Sequence, residues 1–70
     1  GLSAEETNLR HANLKGVQLQ GAVLGGAVLT SANVADADFQ GVELATVTMD
    51  FANFSKAKNA SIPVYKKNLR

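Results

Sequence analysis

Few residues of this chain could act on a substrate, and they are widely spaced. The sequence contains one histidine, His11, and no cysteine. A lone imidazole cannot assemble the three or four protein ligands of a zinc site. Asp36 and Asp38 are close in sequence, but the repeat described below places a corner between them, so we expect the carboxylates to point apart. No Gly-x-Gly-x-x-Gly or Walker motif is present to cradle a phosphate. We predict no catalytic residue, no metal ligand and no cofactor.

The charged residues fall into two blocks along the chain. Seven basic and six acidic side chains give a net charge of +1, and hence no overall attraction to nucleic acid or acidic membranes. The acidic residues all precede residue 56. The segment from residue 56 onward holds five basic residues, which are Lys56, Lys58, Lys66, Lys67 and Arg70. We interpret this basic tail as solvated surface, with phosphate binding as the alternative.

Neither a membrane span nor a signal peptide is visible in the sequence. No apolar run approaches the roughly 20 residues of a membrane helix. The first ten residues, GLSAEETNLR, lack a basic region followed by an apolar one. The chain length allows one domain, and the compartment stays open.

A five-residue repeat runs through most of the chain. From Thr7 to Lys56 the sequence divides into TNLRH, ANLKG, VQLQG, AVLGG, AVLTS, ANVAD, ADFQG, VELAT, VTMDF and ANFSK. The central residue of every unit is apolar: Leu9, Leu14, Leu19, Leu24, Leu29, Val34, Phe39, Leu44, Met49 and Phe54. The residue two before each centre is Thr, Ala or Val. A helix needs apolar residues at spacings of three and four, and a strand needs alternation, so this period fits neither element.

A chain with this period must turn a corner every five residues. Four sides then close a coil of 20 residues, in which large centres stack on large centres and small residues on small ones. Neighbouring coils should lie about 4.8 Å apart. Four glycines occupy the fifth position, where the corner requires a positive φ that glycine tolerates: Gly16, Gly21, Gly26 and Gly41.

The units ANLKG, ANVAD, ADFQG and ANFSK resemble the A-(D/N)-(L/F)-x-x motif of pentapeptide-repeat proteins. The resemblance covers Thr7 to Lys56. It implies an all-β fold, a right-handed quadrilateral parallel β-helix of about 2.5 to 3 coils. It also implies that the central residue and the small residue two before it both point inward.

The two ends of the chain depart from the repeat. Ser3 and Glu6 have the spacing of a helix capping box, which predicts a short helical cap in residues 1–6 that extends to about Asn8. The β-helix should occupy residues 7–56, and residues 57–70 should form an irregular cap and basic tail. Asn59 would fall on a centre and Lys67 on an inward position, so we expect the coil to end between Lys56 and Tyr65.

The resemblance implies a non-catalytic interaction or scaffold module, a small subunit or appended domain of a larger assembly. Such proteins are abundant in cyanobacteria and in thylakoid compartments, so a cytoplasmic or thylakoid-associated place is open. We expect a protein partner or self-association through the coil ends or the uncharged stretch 22–31. The candidate contact residues are Val23 and Val28, which replace the usual Asn or Asp, and Phe51, which occupies a corner.

Two alternative functions remain open. The basic tail could bind phosphate, either in RNA or on an anionic membrane. Some pentapeptide-repeat proteins that protect DNA gyrase from quinolones are long acidic rods resembling duplex DNA. This chain departs from that pattern because it is short and has a net charge of +1.

Overall fold

The computed structural model describes residues 2–63, and its backbone forms a stack of square coils. Single-residue parallel bridges join positions 20 apart in the sequence: Ser3–Val23, Asn8–Val28, Asn13–Asn33, Gln18–Asp38, Val28–Thr48, Asn33–Asn53 and Asp38–Lys58. Within residues 2–63 the chain contains no helix and no strand longer than one of these bridges. The 20-residue spacing makes residues 2–21, 22–41 and 42–61 the first, second and third coils.

Each coil has four sides of five residues, numbered here in chain order. Side 1 comprises residues 2–6, 22–26 and 42–46, and side 2 comprises residues 7–11, 27–31 and 47–51. Side 3 comprises residues 12–16, 32–36 and 52–56, and side 4 comprises residues 17–21, 37–41 and 57–61. The residue just before the centre makes the bridge, except at Glu43, and points outward, as the exposed Asn8, Asn13 and Gln18 show.

A tight turn separates consecutive sides. In the turn after Leu29, the amide of Ala32 donates to the carbonyl oxygen of Leu29 at 2.9 Å, and the intervening Ser31 has a φ of 59°. A negative φ followed by a positive one is the signature of a type II turn. Glycine meets this requirement without strain, yet five corners of the predicted repeat use other residues at positive φ: His11, Ser31, Asp36, Phe51 and Lys56.

The inside of the coil is filled by two inward residues per side. Leu29, Val34, Phe39 and Ala37 in the second coil are completely buried. The rings of Phe39 and Phe54 pack with centroids 5.4 Å apart. Burial falls at the N-terminal end, where the predicted centres Leu9 and Leu14 are only half-buried. The second and third coils therefore supply most of the buried core, and the first coil contributes less.

The predicted N-terminal helical turn is absent. Residues 2–6 form a side of the first coil instead, and Glu6 takes a positive φ of 57°. The amides of Ala4 and Glu6 donate to the carbonyl oxygens of Val23 and Gly25, both at 2.9 Å. Pairing with the next coil satisfies backbone groups that a single helical turn would leave open. The Ser-x-x-Glu spacing was therefore a wrong indication of a helix.

The repeat changes at Asn59, towards the end of the described residues. The last bridge among residues 2–63 joins Asp38 to Lys58. Asn59 falls on a central position but is exposed with a φ of 57°, and Ile62 beyond it still packs against the core. An amide at a centre would bury polar atoms, so the chain turns outward there. The predicted inward position at Lys67 lies outside the described residues.

Candidate protein-contact surface

The outward residue before each centre usually closes a local hydrogen bond. On side 3, the Oδ1 atoms of Asn13, Asn33 and Asn53 accept the amide two residues further on at 3.3, 3.1 and 3.0 Å. Asn8, Asp38 and Glu43 do the same at 3.1, 3.0 and 3.0 Å. This bond explains why Asn and Asp recur at this position, since it satisfies a turn amide.

Val23 and Val28 interrupt this pattern. Val23 lies on side 1 with its side chain 49% exposed, and Val28 lies half-buried on side 2 between Asn8 and Thr48. Neither side chain can accept an amide hydrogen bond, so local turn chemistry does not explain their presence. An apolar residue in a position that normally caps a turn points to a contact outside the coil.

Gly25 and Gly26 form the corner between these valines and carry no side chain. Gly26 has a φ of 72°, and a Cβ atom added there would lie 3.0 Å from Cγ of Glu6. A Cβ atom at Gly25 would lie 3.7 Å from Oγ1 of Thr46. The Glu6 side chain therefore lies against a backbone that carries no side chain of its own. We call Val23, Gly25, Gly26 and Val28, with Thr46 and Thr48 below them, the glycine-corner surface.

Thr46 disturbs the coil beneath this surface. It is the one fifth-position residue of the predicted repeat that does not adopt a positive φ. No bridge joins Val23 to Glu43, and the Gly26 amide donates to Oγ1 of Thr46 at 3.1 Å. A β-branched side chain is strongly disfavoured at positive φ, so this corner takes another shape. Sequence analysis missed the feature, although Thr46 is the single β-branched residue at a fifth position.

Phe51 lies at a different corner from the glycine-corner surface. It has a φ of 62°, is 53% exposed, and is the last residue of side 2, where the chain turns into side 3. Leu2, which sequence analysis did not select, is 50% exposed beside Val23, whose amide donates to the Leu2 carbonyl oxygen at 2.7 Å. The 20-residue spacing between Leu2 and Ala22 could have revealed this position.

Carboxylates flank the glycine corner. Glu5 and Glu6 precede it in the first coil, and Glu43 is exposed in the third coil. The hydroxyl of Ser3 donates to Glu5 at 2.6 Å and lowers the pKa of that carboxyl. These residues are distant in sequence, and the 20-residue coil brings them to one side of the molecule.

The basic candidate residues lie elsewhere on the coil. Lys56 is exposed at the corner between sides 3 and 4, and Lys58 is exposed on side 4. Lys15 is exposed in the first coil, next to the corner residue Gly16 that stands above Lys56. The remaining candidates of the basic tail, Lys66, Lys67 and Arg70, lie outside the described residues.

Asp38 is held in a polar network on side 4. Its Oδ1 accepts from the Asn59 side chain at 2.9 Å and from the Gln40 amide at 3.0 Å, and its Oδ2 accepts from Gln20 at 2.9 Å. These bonds, chiefly the one from Asn59, together with the charge of Lys58, lower the pKa of Asp38. Both oxygens are occupied, which suits a structural role.

The other residues that could take part in catalysis or metal binding lie apart from one another. His11 is exposed at a corner with a φ of 61°, and Asp36 occupies a corner on side 3. Residues 2–63 hold no cluster of His, Cys, Asp or Glu suited to a metal ion, and no cavity opens among them. This part of the chain also lacks a helix able to cross a membrane.

Comparison with known proteins agrees with this architecture. A sequence model described as pentapeptide repeats matches eight copies over residues 7–45 and 24–58. Among curated proteins none matches significantly. A trypsin-treated variant of QnrB1, a plasmid-mediated fluoroquinolone resistance protein, is similar with a TM-score of 0.84 and 12% identity, over 97% of this chain and 33% of that one. A second trypsin-treated variant gives a TM-score of 0.58 and 13% identity, over 91% and 36%. At these identities the likeness concerns the fold alone, and this chain spans about a third of the length of those proteins.

Proposed function

Because the chain belongs to the pentapeptide-repeat family and forms a right-handed β-helix, we propose that it is a non-catalytic protein-binding module. The observation that carries this proposal is the glycine-corner surface. Val23 is 49% exposed there, in a position that holds a turn-capping Asn, Asp or Glu in six other units. An apolar side chain at this place gains stabilisation only when a partner covers it.

The filled interior of the coil supports a role in presenting outward side chains to a partner. Two inward residues per side fill the interior, and Leu29, Phe39 and Val47 are completely buried. A filled β-helix holds its outward side chains on a backbone fixed by hydrogen bonds to neighbouring coils. Such a surface is preorganised for binding, which reduces the conformational entropy lost on association.

The likeness in fold extends the proposal to a larger assembly. This chain aligns with about a third of QnrB1, a plasmid-mediated fluoroquinolone resistance protein. Its predicted centres Leu9 and Leu14 are half-buried at the end of the stack, where another coil or a partner would cover them. We therefore propose an appended domain or small subunit that binds protein through the glycine corner, the coil ends or both.

The test is quantitative capture of binding partners by wild type and two matched variants. Val23→Asp places a charge on the glycine corner, and Asn13→Asp places the same charge at the equivalent position of side 3. We expect a partner that binds the wild type saturably to be lost with Val23→Asp and retained with Asn13→Asp. Equal capture by both variants, with native circular dichroism, would refute a contact at this corner.

A second candidate function is phosphate binding through the basic tail. It is supported by the exposed Lys56 and Lys58, which occupy neighbouring positions near the end of the coil. Charge reversal at both positions should abolish retention on immobilised RNA or anionic vesicles at low salt. Unchanged retention of the Lys56→Glu, Lys58→Glu variant would remove this candidate.

The DNA-mimic alternative has less support from the charges. Of the seven basic residues, three lie beyond residue 63, so residues 2–63 carry four basic and six acidic residues, a net charge of −2. That surface is mixed rather than uniformly acidic. A gyrase supercoiling assay with this chain in excess should show no inhibition.

A further inference from the structure

We propose that the glycine-corner surface binds a basic peptide segment with a single apolar anchor. This inference rests on the proposed function and specifies the chemistry of the partner. Val23 would receive the anchor, and the carboxylates above and below it would receive two cationic side chains.

The surface has room for an anchor because its neighbours are small. Val23 stands beside Gly25 and Gly26, and the residues below the corner are Ala45 and Thr46. Gly25 and Gly26 contribute no side chain of their own, and the Glu6 side chain lies over Gly26, so a ligand laid across Val23 would meet Glu6 at the edge of the corner. An aliphatic or aromatic side chain laid across Val23 would cover apolar area that water now contacts.

The carboxylates lie on both sides of that anchor position. Ser3 forms a bridge with Val23 and donates to Glu5 at 2.6 Å, which places Glu5 just above Val23. Glu6 lies against Gly26, with its Cγ 3.0 Å from a Cβ built there. Glu43 follows Val23 by 20 residues and occupies the third coil. The first and third coils are about 10 Å apart, twice the spacing of neighbouring strands.

The negative charge of this surface is available to a ligand. The hydrogen bonds that Glu5 and Glu43 accept come from uncharged donors, the Ser3 hydroxyl at 2.6 Å and the Ala45 amide at 3.0 Å. Lys56 lies at the corner between sides 3 and 4, and Lys58 lies on side 4, where its charge acts on Asp38. The cation nearest along the chain is Arg10, which occupies the far corner of side 2.

These positions define a recognisable ligand pattern. An extended segment with the order cation, any residue, apolar residue, any residue, cation spans about 13 Å between its outer α-carbons. Flexible Lys or Arg side chains easily adjust that span to carboxylates about 10 Å apart. Because the charged groups are exposed, the attraction should weaken as salt screens it.

The test is an NMR titration of the ¹⁵N-labelled full chain with three synthetic peptides. The first is Ser-Lys-Ser-Leu-Ser-Lys-Ser, the second replaces both lysines with glutamate, and the third replaces leucine with serine. We expect the first peptide to shift the amides of residues 5–6, 22–28 and 43–46. Each control peptide should bind at least about fivefold more weakly, and binding should fall as salt rises.

Protein variants then locate the charges. Glu6→Gln and Glu43→Gln should each lower the affinity for the first peptide by about two- to fivefold, the range for one exposed ion pair. Asp36→Asn, the same type of change at the corner between sides 3 and 4, should leave affinity unchanged. Native circular dichroism in all three variants keeps the comparison valid.

Several outcomes would overturn the inference without touching the proposed function. Equal binding of the lysine and glutamate peptides, or shifts centred on side 4, would exclude this partner chemistry. Self-association through the same corner, seen as concentration-dependent shifts without peptide, would assign the surface to a second copy. If the peptides fail to bind while Val23→Asp still loses its captured partner, the corner binds protein of another chemistry. If Val23→Asp loses nothing, the proposed protein contact at this corner fails as well.

Discussion

Sides 1 and 3 of the coil show what keeps this repeat regular. Side 3 carries Asn13, Asn33 and Asn53, and both of its coil junctions have bridges with three backbone hydrogen bonds each, between 2.7 and 2.9 Å. Side 1 has a bridge between Ser3 and Val23 but none between Val23 and Glu43. Both sides have five residues per coil, yet the bridges between coils are complete on side 3 and interrupted on side 1.

The difference lies in the corner residue more than in the core. The corners that end side 3 are Gly16, Asp36 and Lys56, all at positive φ, whereas side 1 ends in its third coil at Thr46. Inward residues on side 1 remain buried, with Leu24 at 3% and Leu44 at 1% exposure. A backbone hydrogen-bond ladder can thus be interrupted while hydrophobic packing persists, and the interruption coincides with the apolar outer surface.

The largest expected change in stability tests whether the core of side 1 contributes as much to the free energy of unfolding as its burial suggests. Leu29→Ala on side 2 and Leu44→Ala on side 1 remove the same atoms from sites with 0% and 1% exposure. Each should reduce the free energy of unfolding by about 2 to 5 kcal/mol in urea titrations. A much smaller cost for Leu44→Ala would mean that the interruption extends into the core.

The next effect concerns the polar column of side 3. Asn33→Ala removes the acceptor for the Ala35 amide at 3.1 Å and for the Asn53 side chain at 3.4 Å. A loss of about 1.5 kcal/mol is expected, because a half-buried amide loses its partner. Val28→Ala, at the equivalent position of side 2, removes no such bond and should cost about 0.5 kcal/mol. Equal costs would show that the Asn column contributes packing only.

A substitution at Thr46 should restore the missing bridge on side 1 and stabilise the fold. Thr46→Asn introduces a residue that accepts positive φ, so the corner can adopt the shape of its neighbours. We expect a gain of about 1 kcal/mol and slower hydrogen exchange at the Leu24 and Glu43 amides. Thr30→Asn, at a corner residue without positive φ, is the matched control and should stay within about 0.5 kcal/mol. Unaltered exchange in Thr46→Asn would place the cause outside Thr46.

The smallest effect is the pH dependence of side 4. The Asn59 bond holds the pKa of Asp38 below its usual value, so Asp38 stabilises the fold above the unfolded-state pKa of about 3.9. That contribution is lost as the pH falls through the lower folded-state pKa. NMR titration should show the Asp38 carboxyl moving back toward its usual pKa in Asn59→Ala. Identical titration curves would exclude Asn59 as the main cause.

Much of the fold was predictable because its signal is periodic. Ten apolar centres at a spacing of five predicted the coil between Thr7 and Lys56, and the family match over residues 7–45 and 24–58 confirms the repeat. The N-terminal prediction was wrong because Ser3 and Glu6 also have helix-capping spacing. That pattern is local, whereas the bridge from Ser3 to Val23 depends on a residue one coil away.

The candidate surface was only partly predictable. The unusual valines were visible in the sequence, but Val23 lies on side 1 and Phe51 at the corner between sides 2 and 3 once the chain is folded. The carboxylates near Val23 come from two units that are far apart in the sequence, Glu5 and Glu6 in residues 2–6 and Glu43 in residues 42–46, and their arrangement follows from the stacking of coils. The contact residues proposed from the sequence remain predictions.

The sequence by itself determined the period, the inward residues and the corners, because these depend on side-chain size and on which residues tolerate a positive φ. Only the tertiary structure decided which units became neighbours. Stacking set Glu5, Glu6 and Glu43 around Val23, left Thr46 to interrupt side 1, and turned Asn59 outward to Asp38. These outcomes depend on contacts about 20 residues apart, where backbone hydrogen bonding and desolvation outweigh the preference of any single residue.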